Sequence, residues 1–312
     1  MGKKYYEIFE DLIGSHMRNL ILYEYNSEQK NHMYHPYRHN YKNGTEELLA
    51  SFMRKYIYFY AYSEREVEDA FEYELLSNLE AAATFALQHR LPKRNGSSNG
   101  LYSELLLDLL ITLFRGNVNK LATRAIYRQM SDNQEIKGFD GLHIVTSETE
   151  NELWLGQAKM GDTGYCLRSI ASDLEQKTNM LYTSKQLYFV ADKEKSAVKE
   201  ALEVLKKINM VSMKAEMRKL SEVDKASELN EFFKKEKIKI VFPCLLAYSS
   251  PDVYEVEDDI DENIKNELSN LIEKFDSKFD SLLDIEYQVL ILFIPIRDLE
   301  ILRRKMVEIN GA

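Results

Sequence analysis

The stretch IKGFDGLHIVTSETENELWLGQAK, residues 136–159, constrains the fold more than any other part of the chain. It reads as a β-hairpin, with strands over residues 139–145 and 152–159 and a polar turn, TSETEN, that has nothing to bury. Each strand is apolar enough for a core, yet each carries groups that a core rejects. These are Asp140 on the first strand and the pair Gln157 and Lys159 on the second. Successive strand residues face opposite ways, so Gln157 and Lys159 share a face and Ala158 points away. Antiparallel pairing about the turn brings Asp140 level with that pair, at the far end of the hairpin. Left buried without partners, such groups would cost about 1–3 kcal/mol each, and more if charged. Something has to satisfy them, and a divalent cation with a phosphate is one candidate.

This D…(D/E/Q)-x-K spacing resembles the PD-(D/E)XK nuclease pattern, with Asp140, Gln157 and Lys159 in its three places. On that reading Asp140, the Gln157 side-chain oxygen and the Ala158 backbone carbonyl hold a hard cation, Mg²⁺ (or Mn²⁺). The cation acidifies a bound water and offsets phosphate charge, while Lys159 orients or activates the water and faces the phosphate. Glutamine in place of an acid removes one negative charge and predicts weaker metal binding. The competing reading of so short a pattern is a surface salt bridge at a strand end.

At 312 residues the chain has room for two domains, or for one large domain with an appendage. Its only cysteines, Cys166 and Cys244, lack metal-type spacing, which points to a reducing compartment and away from a zinc site or disulfide scaffold. No signal-like apolar segment opens the sequence and no apolar run is long enough to span a bilayer. A soluble, cytoplasmic protein with no membrane partner is therefore expected. The formal net charge of −10 is wrong for a general nucleic-acid binder. It leaves room for a nuclease that receives its substrate from a partner. Much of the acidity falls in EVEDDIDENIKNE, which suits a solvated helix start.

Taken in order, LILYEYNS and YIYFYAYS read as strands on their aromatic and β-branched content. Between them EQKNHMYHPYRHNYKNGT is polar, with Pro36 and Gly44, and reads first as a loop; His32, His35 and His39 are then surface residues, not metal ligands. Thr45 opens a short helix, and Ser63 with Glu66 forms a capping box for another, running from Glu64 to about His89. Residues 1–90 thus form an α+β region, with a possible docking or regulatory role. LPKRNGSSNG, residues 91–100, is the hinge, and residues 101–312 form the second unit.

LYSELLLDLLITLFRG is a helix apolar nearly all round, and hence buried, with Glu104 and Asp108 one turn apart inside it. Glu104 is the acid expected to point at a metal. The alternative for both acids is a solvated face or pairing with Arg115 or Arg124. LATRAIYRQMSD leads into the hairpin as a strand or short helix, and Gly138 and Gly141 flank Asp140, as a bulge or an ordinary turn would require. After Lys159 come the helix CLRSIASDLEQKTNM, the strand QLYFVADK and the helix EKSAVKEALEVLKKIN. That gives the α/β, restriction-endonuclease-like αβββαβ order. SELNEFFKKEK is a helix or connector. IKIVFPCLLAYSS is a strand that Pro243 assigns to an edge or a bulge. An amphipathic helix follows, with Ile264, Leu268, Leu271, Ile272 and Phe275 as its apolar side; then come the buried strand YQVLILFIPI and a final helix. Arg297, Arg303, Arg304 and Lys305 near that end coat a surface or touch phosphate. There is no internal repeat and no Walker or dinucleotide glycine motif.

The SELLLDLL helix, KGFDGLHI, LWLGQAK, the helix containing Asp173, and the later VFPCLLAY and YQVLILFIPI resemble HamA, the effector family of Hachiman anti-phage defence systems. The resemblance implies a metal-dependent DNase held inactive by a helicase, HamB, that senses abnormal DNA. Glu104, Asp140, Gln157 and Lys159 are the positions that match the family's active-site pattern. Residues 1–90 carry no motif that matches. Two other readings stay open. One is a non-catalytic binding subunit on a nuclease fold, suggested by the acidic charge and Gln157. The other is an RNase or nickase, because the pattern fixes phosphodiester chemistry and not the polymer.

Overall fold

The computed structural model describes residues 3–23, 27–28, 32–93, 99–115, 118–131, 133–146, 151–193, 199–276 and 287–307. The chain begins with helices α1 (Tyr5–Phe9) and α2 (Ser15–Leu20), joined by a π turn, and strands β1 (Ile21–Tyr23), β2 (Ser27–Glu28) and β3 (His32–His39). Helices α3 (Glu46–Ala61), α4 (Glu64–Glu72), α5 (Leu79–His89) and α6 (Asn99–Phe114) precede β4 (Val118–Lys120), β5 (Gly141–Thr146) and β6 (Asn151–Gly161). Then come α7 (Thr163–Lys177), α8 (Met180–Lys193), α9 (Lys199–Met217), α10 (Glu222–Glu236), β7 (Ile238–Ser249), α11 (Ile260–Asp276), β8 (Tyr287–Ile296) and α12 (Leu299–Val307).

One mixed sheet runs β1-β3-β8-β7-β6-β5-β4, with β2 paired to β3. Strands β6, β7, β8 and β3 are parallel, while β4, β5 and β6 form an antiparallel meander. The expected hairpin is present: β5 and β6 pair from Thr146↔Asn151 to Gly141↔Gly156. Its turn, residues 147–150, lies outside the described residues. Strand alternation divides the apolar side chains between two cores. Leu153, Leu155, Ile240, Phe242 and Cys244 face the core covered by α7 to α11. Trp154, Ala158, Met160, Val241 and Leu245 face the core covered by α1 to α6 and α12.

Helix α6 is buried as its sequence predicts, with Leu105, Leu106, Leu107, Leu109, Leu110 and Ile111 all sealed from solvent. Each such side chain contributes about 1.5–3 kcal/mol on burial, enough for the helix to carry two interior carboxylates that have partners. The caps at Thr45 and Ser63 form as expected. The second helix, however, breaks after Glu72 and resumes at Leu79, with Glu74 left-handed between them. Among the described residues no helix is long and apolar enough to cross a membrane.

Three further segments differ from expectation. YIYFYAYS is not a strand. It forms the second half of α3, where Tyr56, Ile57, Tyr58, Phe59 and Tyr60 are all buried, so no helical stripe is visible in the letters. QLYFVADK is also helical, within α8. Asn179 caps the start, accepting from Tyr182 N at 2.8 Å, and Thr183, Ser184, Leu187, Val190 and Ala191 make the buried face. With QLYFVADK helical, the next strand after β6 is β7, reached through α7 to α10 and parallel to β6. The presumed loop around Pro36 contains β3, held between β1 and β8 with Tyr34, His35, Tyr37 and His39 buried. Likewise β7 is an interior strand despite Pro243. Its register with β6 stops at Trp154↔Val241 and resumes at Gln157↔Cys244, and Pro243, which has no N–H to donate, falls in that gap.

Candidate active site

The hairpin register brings Asp140, Gln157 and Lys159 to one place. Asp140 sits one residue before β5, its N–H donating to Gly156 O at 2.9 Å. Its carboxylate Oδ2 accepts from Ala158 N at 2.8 Å, past the last strand pair. Gln157 is wholly buried beside Cys244, on the face covered by α7. Its Oε1 accepts from Lys177 Nζ at 2.7 Å, while its buried Nε2 has no partner among the described residues. Lys159 Nζ pairs with Asp173 Oδ2 at 2.5 Å, and Lys177 Nζ reaches the same oxygen at 3.4 Å. Asp173 and Lys177 thus belong to the cluster, although the motif alone does not single them out. The available signal was their i,i+4 spacing on the helix that follows the motif strand.

The electrostatics of these groups are coupled. Burial works against the Lys159 ammonium, but Asp140 and the hydrogen-bonded Asp173 outweigh it and raise its pKa. The Cys244 thiol is pushed up by burial and then by Asp173 and Asp140, with Lys159 and Lys177 pulling the other way. Asp140, Asp173, Lys159 and Lys177 thus form one charged cluster, and Lys177 links it to the buried Gln157 amide.

Glu104 stands on α6, the helix covering the other face. Its Oε2 accepts from Tyr60 at 3.0 Å and pairs with Arg124 Nε at 3.2 Å. Arg124 connects it to the hairpin end, donating to Phe139 O at 2.7 Å. The pairing of Glu104 with Arg124 is one of the alternatives open in the sequence. Asp108 lies further from the site, in a buried cluster with Tyr56 at 2.5 Å, His143 at 2.8 Å and Lys120 at 3.6 Å. Arg303 donates to Met160 O at 2.7 Å and Arg297 packs over Tyr41. His35 and His39 are buried strand residues, which corrects their placement in a surface loop.

A hard cation fits the donor chemistry of this cluster. Asp140, Gln157 and the Ala158 carbonyl offer oxygens, as Mg²⁺ prefers. The position already attracts positive charge, since an ammonium stands on Gln157 Oε1. The donor set is thin, however. Among the described residues no three His, Cys, Asp or Glu side chains form a group that would hold a metal. No curated protein matches the chain. A family model described as HamA matches residues 15–309.

Proposed function

Because this chain belongs to the HamA family of the Hachiman anti-phage defence systems, we propose that it is a metal-dependent DNA nuclease restrained by a helicase partner, HamB. The observation that carries this reading is the meeting of Asp140, Gln157 and Lys159 at one end of the β5–β6 hairpin. The element order is compatible with an elaborated PD-(D/E)XK core: α6, the antiparallel β4, β5 and β6, then α7 with α8 to α10 following it, and β7 parallel to β6. On this reading residues 101–312 carry the nuclease, with β1 and β3 extending its sheet.

Asp140, Gln157 Oε1 and the Ala158 carbonyl would hold Mg²⁺ or Mn²⁺, with Glu104 available once released from Arg124. Such an ion supplies an acidified water and neutralises phosphate charge. Lys159, held by Asp173, supplies a cation beside the reacting phosphate. It faces the phosphate and stabilises the charge that grows on its oxygens. Asp173 aims Lys159, and the Ala158 N–H aims Asp140. The net charge of −10 gives the chain little grip on DNA, which suits delivery of substrate by the helicase.

The test is digestion of supercoiled plasmid, single-stranded DNA and RNA by the natural chain and Lys159→Ala, with Mg²⁺, alone and with HamB. Cutting of DNA that falls by about 100-fold or more in the variant supports the assignment. Equal cutting removes Lys159 from the chemistry. No cutting in any arm makes the chain a binding subunit on a nuclease fold, and RNA as the preferred substrate makes it an RNase.

A further inference from the structure

We propose that Lys177 is a tethered competitor for the cation position, so that its ammonium and a divalent cation occupy Gln157 Oε1 in turn. The proposal rests on the nuclease reading above and adds a residue that the motif does not contain.

Three features carry it. First, Lys177 Nζ stands 2.7 Å from Gln157 Oε1, the side-chain oxygen expected to face a metal. Among the described residues the amide is held through that oxygen, and its Nε2 has no partner despite complete burial. A glutamate at position 157 would lock Lys177 in a salt bridge, whereas a neutral amide holds an ammonium loosely enough to exchange it. Second, Asp173 Oδ2 serves two ammoniums unequally, Lys159 at 2.5 Å and Lys177 at 3.4 Å. On Asp173 Lys177 is the looser of the two, its closer bond being the one to the neutral amide, and the repulsion between the ammoniums favours its departure when a doubly charged ion arrives. Third, Lys177 is the last residue of α7, and its side chain is 19 % exposed. The helix C-terminus attracts positive charge, so the displaced ammonium has somewhere to go. Asp173 stays behind and keeps Lys159 aimed.

The experiment measures Mn²⁺ binding by the full chain, without DNA, by titration calorimetry. Lys177→Met should bind Mn²⁺ about tenfold tighter than the natural chain, because a competing unit charge a few Å away is gone. Lys177→Arg should stay as weak as the natural chain. Asp140→Asn should weaken binding in both the natural and Lys177→Met backgrounds, which assigns the ion to this site. Equal or weaker binding by Lys177→Met overturns the proposal. Should that variant fail to fold, amine-reactive labelling of the natural chain decides instead. Mn²⁺ should raise modification of Lys177 and leave distant lysines unchanged, and an unaltered Lys177 rate overturns the proposal. Failure of the nuclease reading is distinguishable, because tighter Mn²⁺ binding by Lys177→Met in a chain that cuts no nucleic acid supports the competition alone.

Discussion

Asp140 and Ala158 are joined across the open end of the hairpin, the aspartate Oδ2 accepting from the alanine N–H at 2.8 Å. This bond fixes the carboxylate against the Ala158 backbone, where its charge also raises the Lys159 pKa. Asp140→Asn keeps an oxygen for the Ala158 N–H and removes the charge. Nuclease activity should fall by about 100-fold or more, while urea unfolding should move by less than about 1 kcal/mol. A variant that cuts plasmid normally would show that the Asp140 charge has no part in the reaction.

The cluster around Asp108 is structural. Burial raises the carboxyl pKa, but Lys120, His143 and Tyr56 outweigh it and hold it at about 2. Asp108→Ala leaves Lys120 buried without that carboxylate and should cost about 3–5 kcal/mol of unfolding free energy. Adding Lys120→Met should restore part of this loss, because the uncompensated charge is then removed as well. Denaturant titration of the single and double variants checks both. A single-variant cost below about 1 kcal/mol would mean that the pair is not coupled.

What was readable in the sequence follows the range of the forces involved. The β5–β6 hairpin is local, with its partners separated by one turn, so alternation revealed both its register and the meeting of Asp140 with Gln157 and Lys159. Caps at Thr45 and Ser63 are equally local. Strand β3 was hidden because its stabilising neighbour is remote, with His32 opposite Val289. The aromatic half of α3 and the Leu187–Ala191 face of α8 were misread because β propensity yields to burial between helices. Asp173 and Lys177 escaped for a different reason: a helical ion pair announces nothing until the strand beneath it supplies Gln157 and Lys159.

Gly138 has a steric role two residues before Asp140. A Cβ placed there would lie 2.2 Å from the Tyr127 ring, which is buried and stacks under Arg124 at 4.7 Å. Gly138→Ala therefore has to displace Tyr127 and, through Arg124, the support of both Glu104 and Phe139 O. A loss of about 1–3 kcal/mol in stability is expected. At Gly141 the nearest atom to an added Cβ is 3.4 Å away, so Gly141→Ala should be tolerated. Thermal melts of the two variants side by side test the contrast, and equal melting temperatures would refute it.

Acid stability should be governed first by two buried histidines. Burial lowers the pKa of His35 to about 4, with Arg115 assisting, and burial and Arg297 do the same for His39. The ordinary histidine value is about 6.5, so below it the unfolded chain takes up protons that the folded chain refuses. Stability is then complete above pH 6.5 and declines as the pH falls toward 4, by about 1.4 kcal/mol per pH unit for each histidine. Asp108 acts in a lower window: its depressed pKa stabilises the fold above the ordinary carboxylate value, and that contribution is lost as pH falls toward about 2. Unfolding free energies measured between pH 7.5 and pH 4 should therefore slope steeply, and His39→Gln should flatten the slope by about one proton's worth. A flat profile in the natural chain would mean that both histidines take up protons in the folded state.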